Sequence, residues 1–148
     1  MMLVRTRVGE SAIHGMGLFA AESLPAGTPV WRFLPGFDHD FSPVQYAALP
    51  LLAREHARRF CFVSRENGHV ILSGDHACFI NHSIHPNTGA PAHGAVPGTT
   101  VALRDIAAGE EITCNYLDYD ADTPWKLGQV SRDAPLGAGS LDPDRHDR

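Results

Sequence analysis

Two stretches of this chain are built alike, and together they limit what it can fold into. Leu18–Val30 runs through an apolar start, a Leu24-Pro25-Ala26-Gly27 turn and a β-branched end. Val101–Ile112 repeats that order, with Ile106-Ala107-Ala108-Gly109 at its turn. Each reads as strand, turn, strand. They form either a matched pair of small sheets or two independent hairpins that share turn chemistry. With 14 glycines and 11 prolines in 148 residues, the chain reads as a β-rich, loop-heavy fold rather than a helical bundle. At this length it is one domain that buries roughly two thirds of its unfolded surface.

Between the two stretches the pattern changes. Ser42, Pro43 and Gln45 supply an N-cap, an N1 proline and a capping-box partner, which predicts a helix over Pro43–Leu49. Pro50 restarts a second helix through about Arg59. Phe60-Cys61-Phe62-Val63 and His69-Val70-Ile71-Leu72 then flank Asn67-Gly68, a dipeptide that predicts a hairpin with a type I′ turn. From Val130 the composition shifts to Ser, Arg, Asp, Pro and Gly, so residues 130–148 are expected to be a disordered tail. The domain proper is expected over 1–129, with a helical insertion at about 42–59.

The run Phe79-Ile80-Asn81-His82-Ser83-Ile84-His85-Pro86-Asn87 sets polar side chains directly after an apolar pair. Hydrophobic periodicity does not explain it, so a local chemical job does. Behind it lies Gly109-Glu110-Glu111-Ile112-Thr113-Cys114-Asn115-Tyr116, and ahead of it Gly15-Met16-Gly17. By itself the glycine pair marks only a turn before the strand at Leu18. No longer glycine fingerprint with a following helix accompanies it, which argues against a Rossmann-type nucleotide site.

These three motifs, in this order, resemble those of the SET-domain protein lysine methyltransferases, from about Val4 to about Tyr119. The approach Gly74-Asp75-His76-Ala77-Cys78-Phe79-Ile80 is similar too, with Asp75 where the family has Asn and Cys78 where it has Arg. The resemblance implies a mainly β fold of the β-clip type: several small sheets in matched corners, a short helical insertion and a C-terminal pseudoknot shaped by Pro86 and Asn87. It implies S-adenosylmethionine as cofactor. Gly15, Met16 and Gly17 would line it through their backbone. Asn81 would hydrogen-bond its amino-acid end, and His82 would hold the adenine, largely through backbone groups. Tyr116 would also touch the cofactor and is the candidate catalytic residue, orienting methyl and amine; otherwise it is a strand tyrosine packed on the core. Glu110 and Glu111 are bases by residue type, but their turn-strand corner favours a solvated or structural place.

The departures from the family pattern matter as well. No cysteine follows Cys114, and Ile84 stands where relatives place a zinc ligand, so the Cys-rich post-SET segment is missing and no zinc is expected. His76, His82, His85 and His93 cluster in sequence but fit no standard zinc spacing, which keeps a histidine metalloprotein as a rival. Cys114 stands where many relatives carry Phe or Tyr, and Asn115 where Asp is common. With Tyr119 and Trp125, Cys114 is a candidate for the substrate channel. The lid is expected over about 117–129, although Tyr119 and Trp125 equally suit a capped core edge. Asp118, Asp120 and Asp122 either attract a basic substrate or form a solvated loop.

The net charge of −5 argues against a nucleic-acid binder and is compatible with a basic protein tail as substrate. The opening residues turn polar at once, and no apolar run reaches the ~18 residues a membrane span needs, so a cytoplasmic setting with no membrane partner is expected. Cys61, Cys78 and Cys114 read as buried thiols. The expected function is methyl transfer from S-adenosylmethionine to protein lysines. The alternative is a non-catalytic SET-like module that binds a peptide or protein.

Overall fold

A computed structural model describes residues 1–91 and 98–137, which divide into two units: Met1–His39 with Leu72–Tyr116, and Asp40–Ile71 with Leu117–Arg148. In chain order the elements are β1 (Thr6–Glu10), β2 (Met16–Ala20), β3 (Pro29–Arg32), β4 (His39–Phe41), α1 (Pro43–Ala48) and α2 (Leu51–Phe60). Then come β5 (Phe62–Val63), β6 (Val70–Leu72), β7 (Asn81–His82), β8 (Thr88–Gly89), β9 (Thr99–Ala102), β10 (Glu111–Cys114) and α3 (Thr123–Lys126). Short 3-10 turns cover His76–Phe79 and Tyr116–Asp118. The strands make three small sheets, ordered β1-β2-β10-β7, β3-β9-β8 and β4-β6-β5. The expected mainly β fold of several small sheets is the one found. No helix among the described residues is long and apolar enough to cross a membrane.

In the first unit the two similar stretches do not fold as separate hairpins. β2 pairs with β10, and β3 pairs with β9, so the strands of each corner find their partners in the other corner. The turns clasp through matched backbone bonds. Leu24 N–H donates to Ile106 O and Ile106 N–H to Leu24 O, both at 2.8 Å. Gly27 N–H donates to Ala102 O at 2.7 Å, and Gly109 N–H to Ala20 O at 2.8 Å. Ala102 N–H meets Thr28 O, and Ala20 N–H meets Glu110 O, each at 2.9 Å. Every bond has a counterpart in which the corners exchange roles. Gly27 and Gly109 adopt φ of +83° and +84°, a left-handed conformation that side chains disfavour. The core beneath is made of Ala20, Leu24 and Val30 from one corner and Ala102, Ile106 and Ile112 from the other.

β7 joins the far side of β10 in parallel, with Asn81 opposite Thr113 and His82 opposite Cys114. Asn87, 2% exposed, then takes the place of a strand beside β10. Its Oδ1 accepts from Thr113 N–H at 2.8 Å, its Nδ2 donates to Glu111 O at 2.7 Å, and its own N–H donates to Thr113 Oγ1 at 3.2 Å. A side-chain amide carries one donor group and one acceptor, as a peptide unit does, so it can satisfy strand backbone that has no neighbour.

In the second unit the capping box forms as the sequence predicts. Gln45 N–H donates to Ser42 Oγ at 3.2 Å, and Ser42 N–H to Gln45 Oε1 at 2.8 Å. Tyr46 then ties α1 to α2 through its hydroxyl on Arg54 O at 2.9 Å. The hairpin at Asn67-Gly68 differs from expectation. Only Gly68 has positive φ, and β5 pairs with β6 across a longer connection. Asn67 instead turns its Oδ1 to His69 N–H at 3.0 Å, while Gly68 N–H donates to Ser64 O at 2.9 Å. The local amide bond competes with the two-residue turn and wins. Of the expected tail, residues 130–137 are described and are tied back: Arg58 Nη1 donates to Ala134 O at 2.7 Å, and Gly137 N–H to Asp122 Oδ1 at 2.9 Å. Residues 138–148, also assigned to that tail, lie outside the described residues.

The two-corner core makes Leu24 and Ile106 equivalent. Leu24→Ala and Ile106→Ala should each lower the unfolding free energy by about 3 kcal/mol in chemical denaturation. The double variant should depart from additivity, because the two residues share one cluster. Two losses that differ by more than about 1.5 kcal/mol, or that simply add, would contradict the shared core.

Candidate functional site

The polar run places its first asparagine at the centre of a network in the first unit. Asn81 is 8% exposed. Its Nδ2 faces four acceptors: Glu111 Oε1 at 2.8 Å, Ser11 Oγ and Met16 O at 3.1 Å, and His14 O at 3.2 Å. An amide nitrogen ringed by acceptors fixes which way the side chain points. What Asn81 can offer a ligand is therefore its Oδ1, an acceptor suited to an ammonium or N–H group.

Glu111 and Ser11 hold that arrangement. Ser11 Oγ lies 2.8 Å and 2.9 Å from the two Glu111 carboxylate oxygens, and it accepts from Ile13 N–H at 2.9 Å. Gly17 makes room for the carboxylate. A Cβ there would stand 2.3 Å from Glu111 Oε1. Gly17 is thus required by the protein's own carboxylate, whereas Gly15 (φ +50°) has open space around its Cα, and Met16 is exposed while its carbonyl serves Asn81. Sequence reasoning passed over Ser11 and set Glu111 aside. Ser11 left a readable trace, a serine whose hydroxyl caps the next backbone N–H groups. The role of Glu111 depends on a pairing with β2 that no local pattern reveals.

The second group of side chains surrounds Tyr116, which begins a 3-10 turn just past β10 instead of lying in the strand. Its hydroxyl donates to Ile80 O at 2.6 Å, and its backbone N–H donates to His82 Nδ1 at 3.1 Å. The rings of His82 and Tyr116 lie 5.3 Å apart. Because Nδ1 accepts the Tyr116 N–H, the ring proton is assigned to Nε2. The His82 imidazole thus positions Tyr116, a side-chain task in addition to the backbone one expected of it. Cys114 is buried in β10 between these two groups, opposite His82. Asp75 caps the turn at His76–Phe79, accepting from Ala77 N–H at 3.0 Å and from Met2 N–H at 2.6 Å.

Glu110 belongs to a different cluster. Arg104 Nη2, 2.6 Å from its Oε1, holds its carboxyl down at about 2, with Ala107 N–H and Asn87 Nδ2 adding further donors against the effect of burial.

Tyr119 and Trp125, the other channel candidates, lie in the second unit. Tyr119 meets Phe62 edge-on at 5.0 Å. Trp125 carries the Arg58 guanidinium over its ring at 4.3 Å and donates from Nε1 to Arg132 O at 3.1 Å. Of the acidic residues beside them Asp118 is exposed, and the other two are not part of a solvated loop. Asp120 and Asp122 are buried, the first paired with Lys126 at 2.5 Å and the second with Arg58 at 2.9 Å. Lys126 Nζ also donates to Cys61 O. Burial pushes the Cys61 thiol up to about 12. Among the described residues no three His, Cys, Asp or Glu side chains gather as a metal site; His93 lies outside them.

Comparison with known proteins bears on this geometry. The SET domain family model matches residues 15–117. Over 121 residues, 76% of this chain, the sequence is 29% identical to a candidate histone-lysine N-methyltransferase 1 of Plasmodium falciparum (isolate 3D7), and it spans 2% of that protein's length. Among solved structures, the Polycomb Repressive Complex 2 of Chaetomium thermophilum, in an autoinhibited conformation bound to S-adenosylmethionine, is similar with a TM-score of 0.58. That likeness covers 90% of this chain and 17% of the other at 26% identity. A candidate histone methyltransferase of Plasmodium falciparum shares the fold with a TM-score of 0.52 and 17% identity, covering 78% of this chain and 95% of that one.

Gly17→Ala should force the Glu111 carboxylate off Ser11 and Asn81 and cost about 2 kcal/mol in thermal or chemical unfolding. Adding Glu111→Ala should recover part of that loss, and a purely additive double variant would contradict the close approach. The folded carboxyl of Glu110 sits near 2, below the unfolded value of about 4.3, so its contribution is complete above about pH 4.3 and is lost as pH falls through 2. Glu110→Gln should flatten acid unfolding in that window, and an unchanged acid midpoint would count against the Arg104 contact.

Proposed function

The chain belongs to the SET-domain family, and from that membership we propose that it transfers a methyl group from S-adenosylmethionine to lysine ε-amines of a protein substrate. The observation that carries this reading is a pair of ordered polar side chains, Asn81 in β7 and Tyr116 just past the end of β10. Asn81 Oδ1 is held in place by a network that consumes its nitrogen. The Tyr116 hydroxyl is held on Ile80 O by one bond and at its backbone by His82.

The fit to the cofactor is one of donor type. S-adenosylmethionine has an ammonium at its amino-acid end, and Asn81 offers an acceptor for it, with the Glu111 carboxylate behind as favourable charge. Gly15, Met16, Gly17 and His82 are the neighbouring positions that would line it, the first three through their backbone. When bound, the cofactor supplies a methyl group on a sulfonium, open to attack by a neutral amine.

The remaining chemistry belongs to this chain. The Tyr116 hydroxyl donates its proton to Ile80 O, so it would act toward the substrate amine as an acceptor of an N–H. Fixing the angle of approach in this way is what in-line transfer demands. A free lysine has a pKa of about 10.4, so about one in two thousand is neutral at pH 7. Neither glutamate of the corner suits the role of base. Glu111 is committed to Ser11 and Asn81, and Glu110 is far too weak a base at about 2. Desolvation of the incoming ammonium is the remaining route to the neutral amine. The substrate class proposed is a protein that presents lysine on a basic segment, and Cys114 is proposed to line its channel.

Calorimetry with S-adenosylmethionine should give saturable binding to the wild type and none to Asn81→Ala, with melts alongside to establish that both are folded. Tyr116→Phe should bind the cofactor as the wild type does yet transfer methyl to a lysine-rich peptide at least about 100-fold more slowly. A wild type that binds no cofactor, or a Tyr116→Phe variant of normal rate, would overturn the reading. Cofactor binding without any turnover would favour the non-catalytic module.

A further inference from the structure

One carboxylate of the candidate site has no cation of its own. Asp120 pairs with Lys126, Asp122 with Arg58 and Glu110 with Arg104, but no Lys, Arg or His nitrogen among the described residues lies within ion-pair distance of Glu111. Its side-chain donors are both neutral: the Ser11 hydroxyl, 2.8 Å and 2.9 Å from the two oxygens, and Asn81 Nδ2, 2.8 Å from Oε1. Glu111 is half-buried, and Gly17 admits it, since a Cβ there would stand 2.3 Å from Oε1. Taking an ion partly out of water with no counter-ion is costly, so the room made for this one points to a use for the charge.

A single amide separates that charge from a ligand on Asn81. The amide nitrogen donates to the carboxylate, and Oδ1 is left as the acceptor. A hydrogen bond from the nitrogen to an anion polarises the whole amide and makes its oxygen a stronger acceptor. The charge also acts directly across the amide, a range over which a half-buried carboxylate is only weakly screened.

We propose that Glu111 is a specificity-determining residue for the cofactor: it selects ligands whose amino-acid end carries a protonated α-amine, acting through Asn81 rather than by contact. This inference rests on the reading of Asn81 as the acceptor for the cofactor's ammonium. The same ammonium is present in S-adenosylhomocysteine, the product left once the methyl group has gone. Glu111 therefore tightens cofactor and product alike, which lowers KM without speeding transfer and leaves the site open to inhibition by its product. Preference for the sulfonium over the thioether has to come from elsewhere in the site.

The test is calorimetry on the full chain with S-adenosylhomocysteine and with its deaminated analogue, which has hydrogen in place of the α-amine. The wild type should bind S-adenosylhomocysteine at least about 30-fold more tightly than the analogue, an ammonium being held by charge as well as by a hydrogen bond. Glu111→Gln should shrink that preference by at least about 5-fold, through lost affinity for the aminated ligand. A merely structural role would instead weaken both ligands equally and keep their ratio. In the wild type, the ¹³C resonance of the Glu111 carboxyl should move further with S-adenosylhomocysteine than with the analogue, a readout that does not depend on how the variant folds. An unchanged ratio in Glu111→Gln, or equal resonance shifts with the two ligands, would overturn this inference alone. A wild type that binds neither ligand would overturn the cofactor reading and this inference together.

Discussion

The reciprocal clasp between Leu24 and Ile106 is the contact on which the first unit depends. Neither corner pairs its own two strands with each other: β2, which has β1 on one edge, takes β10 on the other, and β9, which has β8 on one edge, takes β3. The pairing joins segments far apart in sequence, so chain entropy must be overcome before any ladder bond forms. Burial of the six core residues, three from each corner, repays that cost. Once β10 is held by β2 on one edge, its other edge is defined, and β7 and Asn87 can attach to it. The candidate site follows from this order. Glu111, Cys114 and Tyr116 leave β10, or its end, at positions that the clasp has already set.

The unusual polarity of the 81–87 run then has a physical account. Asn81 gathers the turn around His14 and Met16, His82 accepts the Tyr116 backbone N–H, Ser83 Oγ accepts from His85 N–H at 3.0 Å, and Asn87 stands in for a strand along β10. Each polar side chain does work that backbone does elsewhere. In a segment whose strands are only two residues long there is too little ladder to satisfy buried peptide groups, and short side chains with fixed donors and acceptors replace it. The same demand excludes apolar substitutes, which is why hydrophobic periodicity fails in this stretch.

How much could be read in advance depended on how local each cause was. The capping box at Ser42 and Gln45 was legible because both partners lie within one helical turn. The resemblance of the two corners was legible as well, but the exchange of strands between them was not, since a strand-turn-strand pattern looks the same whichever partner it takes. Asn67-Gly68 failed for the opposite reason: an Asn side chain can bond to its own backbone two residues on, and that choice is invisible in the dipeptide. Tyr116 and Asn81 were found through motif likeness. Ser11 was missed, and Glu111 was set aside, because their roles arise only when residues from β2, β7 and β10 meet.

The acidic loop illustrates how formal charge misleads. Three aspartates in five residues suggest a surface that draws in a basic peptide, yet Asp120 and Asp122 are buried, each spent on a cation of its own unit. Asp120 also accepts the N–H of Val63 and of Asp122, both at 2.9 Å, so the carboxylate organises backbone from two segments. Buried ion pairs add little net stability, because desolvation cancels most of the attraction, but losing one partner is costly. Their value here is geometric: Asp122 orients Arg58, Arg58 covers Trp125, and the backbone carbonyl of Ala134 completes the shell around the guanidinium. Arg65 has no such carboxylate within its own unit among the described residues. The contrast between these two guanidinium groups separates a charge used to build the fold from one whose Nε and Nη2 the fold buries unpaired.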